Sequence, residues 1–171
     1  MKTTFYKVAV TVLLMVLLTP LLKAQEIKVM DNIDASAKAV YFNLTTGQEV
    51  AAATKDWDIA FERTTILVNS GSSGPGNTTA LLLKGVTFES VDSYPASGFK
   101  TDTDSEKAIP SGSGNGWYEY NMANHSINPI PERVIVVKTT QGKYVKLEIL
   151  SYYHKSNQQP ANYSFRYSFL N

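Results

Sequence analysis

Residues 117–153 carry the clearest secondary-structure signals in the chain: WYEYNMANHSINPIPERVIVVKTTQGKYVKLEILSYY. Within them, the β-branched run at residues 134–138 predicts a buried strand. Gln141 and Gly142 supply a turn, and residues 144–152 then alternate between apolar and charged side chains. The apolar positions are Val145, Leu147 and Ile149, and the charged positions are Lys146 and Glu148. The stretch therefore predicts an antiparallel β-hairpin.

Strand signals continue on both sides of this hairpin. Residues 117–121 form an aromatic run ahead of it, and residues 163–169 place an aromatic side chain at every second position. Residues 56–63 alternate in the same way, with Trp57, Ile59 and Phe61 on one face and Asp58 and Glu62 on the other. Shorter strands are predicted at residues 26–29, 38–43, 65–69, 79–83 and 85–88. Since no stretch longer than two turns has helical periodicity, we predict an all-β protein. Its expected architecture is a single antiparallel β domain, either a sandwich or an open barrel-like arrangement.

Four connecting segments lack a strand pattern. The Gly/Ser-rich residues 70–78 resemble a phosphate-binding loop, but they lack its Gly-Lys-Ser/Thr ending and following helix, so we interpret them as a flexible surface loop. Residues 89–116 are long and polar, which indicates a mobile excursion. Residues 122–131 read as a turn region, and residues 49–54 as either one helical turn or a loop.

The N-terminus has the pattern of a secretory signal peptide. Lys2 and Lys7 give a basic start, residues 8–22 are mostly apolar, and Ala24 is small enough for the position before the cleavage site. The alternative, a membrane anchor, needs about 20 apolar residues, whereas this run is shorter and contains Pro20. We therefore expect residues 1–24 to be a signal peptide and residues 25–171 to be one mature domain.

Composition excludes several classes of function. The chain has 171 residues, no cysteine and a formal net charge of +1. Without cysteine there is no disulfide, no thiolate metal site, no cysteine nucleophile and no lipid-modified N-terminal cysteine. The basic residues are not clustered, which argues against a nucleic-acid partner. We expect an exported protein, periplasmic or extracellular, that is soluble and does not span the membrane after cleavage.

Few residues suggest catalysis. Asp56 and Asp58 are two apart on a predicted strand and would share a face, as paired catalytic carboxylates do. A solvated strand edge is the simpler interpretation of the two. No serine lies in a nucleophile-elbow context, so the sequence does not predict an enzyme.

Met122 and His125 are the candidate binding residues. They lie in an Asn/Pro-rich turn directly after the aromatic strand, and thioether and imidazole groups both bind haem iron. Tyr118, Tyr120 and Tyr153 could stack on a flat apolar ligand. The alternative is a methionine that packs on the core beside a solvated histidine. His154 and Met30 are weaker candidates.

The sequence resembles the HmuY family of exported haem-binding proteins of Gram-negative bacteria. Two parts of the chain carry the resemblance, one before and one after residues 89–116. The first comprises residues 56–63, Val68-Asn69 and the Gly71–Gly76 loop. The second comprises Trp117-x-Glu119-Tyr120, residues 133–137, residues 142–147 and the final aromatic strand.

The resemblance implies an all-β fold and a role in haem and iron acquisition. It also implies haem or a related tetrapyrrole as ligand and an outer-membrane receptor as partner. Family members bind haem between loops through two axial side chains, either His/His or Met/Met. One family ligand follows the Trp-x-Glu-aromatic strand by two residues, which is Met122 here. The other lies before that tryptophan, where residues 89–116 contain neither Met nor His, and His125 is the nearest substitute.

Three hypotheses follow. The first is an HmuY-like haem-binding protein with iron on Met122 and with His125 as the nearest candidate for the second ligand. The second is a protein-interaction or structural module that has kept the HmuY fold and lost haem ligation. The third is a hydrolase that uses Asp56 and Asp58. The position of Met122 and His125 relative to a common cavity discriminates between the first two.

Overall fold

Eleven β-strands and their connections make up residues 25–171, the part of the chain that the structure, a computed structural model, describes. The predicted signal peptide, residues 1–24, lies outside the described residues. The strands are β1 (Lys28–Asp34), β2 (Val40–Asn43), β3 (Gln48–Val50), β4 (Ile59–Glu62), β5 (Thr65–Val68), β6 (Thr79–Lys84), β7 (Tyr118–Asn121), β8 (Ser126–Pro129), β9 (Arg133–Lys138), β10 (Tyr144–Tyr153) and β11 (Pro160–Leu170).

The strands form two main sheets and a separate hairpin. The first sheet has five strands in the order β1-β11-β10-β9-β6, and the second has four in the order β3-β2-β4-β5. Within residues 25–171, strands β7 and β8 pair only with each other. Every paired neighbour is antiparallel. The all-β prediction is confirmed, and the architecture is a two-sheet sandwich rather than a closed barrel.

The main core lies between the two sheets. Alternate aromatic residues of β11 point inward, as the sequence predicts, and meet the second sheet. The Phe42 ring packs edge-on against Phe165 at 5.4 Å between centroids, and Phe61 lies 4.5 Å from Tyr163. These fully buried rings hold the five-stranded sheet and the four-stranded sheet together.

The predicted hairpin is confirmed as β9 and β10. Val145 pairs with Val137 and Leu147 with Ile135, and these four side chains face the main core. In the turn, the amide of Gly142 donates to the carbonyl of Thr139 at 2.9 Å. Gly142 has a φ of +78°, a left-handed conformation that glycine adopts without steric cost.

Lys146 lies on the opposite face from the core, as the alternation predicts, but it is buried there rather than solvated. Residues 86–99 fold over this outer face, and the Lys146 ammonium donates to the carbonyls of Phe88 (2.9 Å) and Val91 (3.0 Å). Phe88 and Val91 form a second small core with apolar side chains of β9. A segment distant in sequence therefore covers the face of the sheet that carries Lys146.

Buried side chains tie both segments interpreted as flexible to the sandwich by hydrogen bonds. The buried Asp102 carboxylate accepts the amides of Val68 (3.0 Å) and Ala108 (2.8 Å), which fixes residues 89–116 to the second sheet. In the Gly/Ser loop, Gly76 donates to the buried side chain of Asn69 at 2.9 Å. A Cβ on Gly71 would come within 1.8 Å of the Asp102 carbonyl oxygen. Glycine at position 71 therefore permits the two segments to approach each other closely.

Three local predictions also differ from the structure. Residues 85–88 are not a strand, because they leave the sheet to cover its outer face. Gln48–Val50 is strand β3, which pairs with β2. Ser126–Pro129 is strand β8 inside the predicted turn region, since it pairs with the aromatic strand β7. Pairing with a partner decides each case, and local composition does not report it.

Candidate functional site: the hairpin of β7 and β8

The hairpin of β7 and β8 is anchored at its base by Trp117. This residue is only 2% exposed, and its indole Nε1 donates to the carbonyl of Thr64 in the β4–β5 turn at 3.0 Å. The amide of Ile130, which follows β8 at the same base, donates to the Trp117 carbonyl at 2.9 Å. The base of the hairpin is therefore fixed to the sandwich.

Both sides of the hairpin are also held. On one side the amide of Ile127 donates to the Tyr153 hydroxyl at 2.8 Å, which joins β8 to β10. On the other side the amide of Tyr120 donates to Ser113 Oγ at 2.8 Å, and Gly114 donates to the Tyr118 carbonyl at 2.9 Å. The segment that precedes Trp117 thus runs beside the hairpin.

Residues 122–125 form the tip loop, which two asparagines shape. Asn121 Oδ1 accepts the amide of Ala123 at 2.9 Å, and Asn124 Oδ1 accepts the amide of Ser126 at 3.1 Å. Such short-range bonds favour a turn over a continued strand. His125 closes the loop with a φ of +58°, a left-handed conformation in which histidine is enriched among non-glycine residues.

The tip loop carries Met122 and His125 away from the core. Met122 is 81% exposed, which contradicts the alternative that its side chain packs on the core. His125 is also exposed, and its Nδ1 lies 2.5 Å from the hydroxyl oxygen of Tyr120. The thioether is thus free for a ligand, and one imidazole nitrogen already has a partner.

A groove of about 460 Å³ adjoins His125. One wall is the tip loop and β8, and the other comes from the end of β10 and the turn that follows it. The residues that line it are Asn124, His125, Ser126, Asn128, Tyr153 and Gln158. Met122, Tyr118 and Tyr120 are outside this set. The structure therefore brings His125 and Tyr153 to one groove, while Met122 lies in the same loop but outside it.

The two weaker candidates have structural contacts. His154 Nδ1 accepts the amide of Ser156 at 3.2 Å, in the turn between β10 and β11. Met30 is partly buried against the main core from β1. Neither residue lines the groove beside His125.

Asp56 and Asp58 do not form a shared carboxylate site. Asp56 is exposed, whereas Asp58 is fully buried, so the interpretation of Asp58 as a solvated edge residue is wrong. Asp58 Oδ2 accepts the Leu44 amide at 2.8 Å, and Oδ1 accepts the Thr140 amide at 2.8 Å. Burial raises the pKa of Asp58 despite these donors. Its oxygens hold the fold, and the arrangement does not support a hydrolase that uses this pair.

Two further observations concern metal-ligand clusters and membrane-spanning helices. Residues 25–171 contain no group of three or more His, Cys, Asp or Glu side chains that could hold a metal ion. The same residues include no helix long and apolar enough to cross a membrane.

Sequence reasoning missed one residue of this site and the main contact of another. The sequence suggests a stacking role for Tyr120, whereas the register that pairs it with Ile127 brings its hydroxyl to His125. Gln158 belongs to a turn far along the chain, and the alternation of β10 gives no sign that this turn approaches β8. The packing of β10 beside β8, which includes the hydrogen bond from Ile127 to Tyr153, brings this turn to the groove.

Comparisons with known proteins agree on one fold. The model of the family described as "HmuY protein" matches residues 35–167. None of the curated proteins matches the chain. The apo form of an HmuY analogue (TFO) from Tannerella forsythia is 20% identical, with 86% of this chain and 96% of that chain covered and a TM-score of 0.60. Apo PinO from Porphyromonas gingivitis is 16% identical, with 85% and 98% covered and a TM-score of 0.61. A candidate HmuY-like heme-binding protein from Bacteroides vulgatus is 16% identical, with 84% and 90% covered and a TM-score of 0.55.

Proposed function

The chain belongs to the HmuY family, and from this premise we propose that it is an exported haem-binding protein that serves haem or iron acquisition. We place the haem iron on Met122, with His125 as the second candidate ligand. The observation that carries the proposal is the exposure of the Met122 side chain on an anchored tip loop directly after Trp117-x-Glu119-Tyr120. The name of the Bacteroides vulgatus protein, HmuY-like heme binding, supports it.

The residues of the hairpin fit this ligand chemically. Haem supplies a flat apolar macrocycle and an iron that takes axial thioether and imidazole ligands. Met122 would offer its sulfur, which no core contact occupies, and His125 would offer the nitrogen opposite its Tyr120 contact. Tyr153 would give the groove an aromatic wall, and Trp117 would keep the loop in place.

Haemin titration of the protein comprising residues 25–171 tests the proposal. We expect a saturable low-spin Soret and visible spectrum in the oxidised and reduced states. Met122→Leu preserves the size and apolar character of the side chain but removes the sulfur, so the methionine-type spectrum should be lost. Leu150→Ala, which removes an exposed apolar side chain from β10, is the control for non-specific haem adsorption and should leave the spectrum unchanged. A featureless, non-saturating titration would contradict haem binding.

The alternative is a protein-interaction or structural module that has kept this fold without haem ligation. It is favoured by the separation of Met122 from the groove that His125 lines, and by a groove lined mainly by Asn124, Ser126, Asn128 and Gln158. An exposed methionine and an exposed tyrosine, Tyr120, on the same hairpin also suit contact with another protein. The haemin titration separates the two functions, because this module predicts no axial-ligand spectrum in any variant.

A further inference from the structure

Tyr120 and His125 form a hydrogen bond between two fixed parts of the hairpin. The Tyr120 hydroxyl oxygen lies 2.5 Å from His125 Nδ1. The backbone of Tyr120 is held by pairing with Ile127 and by Ser113, and that of His125 is held by the left-handed turn. The bond therefore sets the orientation of the imidazole ring relative to the strand.

We infer that Tyr120 is a positioning residue for His125. Its hydroxyl holds Nδ1 of the imidazole and leaves Nε2 as the nitrogen for a ligand at the groove. The identity of that ligand as haem iron rests on the proposed function. The hydrogen bond and its effect on the imidazole do not depend on the proposed function. In proteins, a histidine that binds a metal through one ring nitrogen ordinarily has its other nitrogen in a hydrogen bond.

The two histidines of the chain differ in which ring nitrogen can offer a lone pair to a ligand. A neutral imidazole has one N–H and one lone pair. A tyrosine hydroxyl both donates and accepts, so Nδ1–H of His125 can donate to Tyr120 and leave the lone pair on Nε2. His154 Nδ1 accepts a backbone N–H from Ser156 at 3.2 Å, and that donor cannot reverse its role. In the neutral form that accepts this bond, His154 has its proton on Nε2, whereas His125 can carry its proton on Nδ1 and offer the lone pair of Nε2.

The first arm of the test needs no haem. The protein is labelled with ¹⁵N-histidine, and the ring nitrogens of its two histidines are followed by long-range ¹H–¹⁵N correlation spectra. Tyr120→Phe should shift both ring nitrogens of His125 and leave those of His154 unchanged. Tyr94→Phe is a matched control, since Tyr94 is also 42% exposed and lies in the segment over the outer face. Unchanged His125 nitrogens in Tyr120→Phe would overturn the inference, whatever the ligand.

The second arm adds haemin. Tyr120→Phe should weaken the histidine-dependent binding about 10-fold or more, the usual loss when an outer partner of a metal ligand is removed. His125→Asn, which tolerates the left-handed turn but lacks an imidazole, should show the same loss, whereas Tyr94→Phe should not. Shifted nitrogens together with unchanged haemin affinity would overturn the inference. If the wild-type protein binds no haemin, the proposed function fails, and the ¹⁵N shifts still decide the role of Tyr120.

Discussion

Asp58 accepts both the amide and the hydroxyl hydrogen of Thr140, a residue 82 positions further along the chain. Asp58 immediately precedes β4 in the four-stranded sheet, and Thr140 lies in the turn between β9 and β10 of the five-stranded sheet. The other carboxylate oxygen accepts the Leu44 amide at 2.8 Å. One buried side chain thus links the two sheets at one end of the sandwich.

Removal of this link should destabilise the protein strongly. In Asp58→Ala the donors of Thr140 and Leu44 would be left buried without an acceptor, at a cost of about 3–5 kcal/mol in the free energy of unfolding. Asp58→Asn keeps one acceptor oxygen and should cost about 1–3 kcal/mol. Urea denaturation followed by tryptophan fluorescence measures both. Asp56→Ala, at the exposed neighbour, is the control and should change stability by less than about 0.5 kcal/mol.

The same carboxyl gives stability a defined pH dependence. Burial raises the pKa of Asp58 above its ordinary value of 3.8, so the folded protein binds this proton more tightly than the unfolded chain does. The contribution is fully present below pH 3.8 and is lost as the pH rises through the folded pKa. The stability of wild type relative to the non-titrating Asp58→Asn should therefore decrease as pH rises through this window. Urea midpoints over a pH series measure it, and an advantage that grows with pH would contradict the assignment.

Gly71 should tolerate no side chain. Its φ is +56°, and a Cβ there would lie 1.8 Å from the Asp102 carbonyl oxygen, so the backbone of two segments would have to move. We expect Gly71→Ala to cost about 3 kcal/mol or more. Gly85 has a φ of +72° with open space around it, so Gly85→Ala should cost only the strain of the conformation, about 1–2 kcal/mol. Thermal unfolding compares the two, and equal losses would show that steric contact at Gly71 is unimportant.

The fold follows from local pattern where a strand has one apolar face. The alternation of Val145, Leu147 and Ile149 is enough to predict β10 and the face that it buries. The pattern fails where a distant segment covers a polar face: Lys146 looks solvated until residues 86–99 are placed over it. Asp58 and Asp102 look like surface carboxylates because their amide donors lie far away in sequence.

For the candidate site, too, some features can be predicted from the sequence and others depend on strand register and tertiary packing. The position of Met122 and His125 in a turn after an aromatic strand is visible in the sequence, since Asn121 and Asn124 are turn formers. The contact between Tyr120 and His125 depends on the register of β7 against β8, which one residue of slip would destroy. The second wall of the groove depends on tertiary packing, and no local pattern reports it.

Lys146 should hold residues 86–99 against the outer face of the five-stranded sheet. Lys146→Met keeps most of the apolar stem but leaves the carbonyls of Phe88 and Val91 without their donor. It also removes a cation 4.5 Å from the Phe88 ring. We expect faster proteolysis and hydrogen exchange within residues 86–99, with β9 and β10 still protected. Lys84→Met, at an exposed lysine of the same sheet, should leave both rates unchanged. Uniform deprotection of the whole sheet would contradict a local role.

Trp117 should couple the stability of the sandwich to the position of the tip loop. Trp117→Phe loses the hydrogen bond to the Thr64 carbonyl and leaves a cavity beside Tyr152 and Tyr163, at a cost of about 2–4 kcal/mol. Because Ile130 donates to the backbone of Trp117, the base of the hairpin should loosen as well. We expect faster amide exchange at Tyr120 and Ile127, and weaker haemin binding than in wild type.

Tyr118→Phe provides the control for this prediction. Tyr118 packs against Trp117 with 4.9 Å between ring centroids, but its hydroxyl makes no hydrogen bond among residues 25–171. Loss of that hydroxyl should change the free energy of unfolding by less than about 0.5 kcal/mol and leave hairpin exchange unchanged. If Trp117→Phe lowers stability but exchange at Tyr120 and Ile127 stays at the wild-type rate, the hairpin is held by its flanking bonds to Ser113 and Tyr153 rather than by its base.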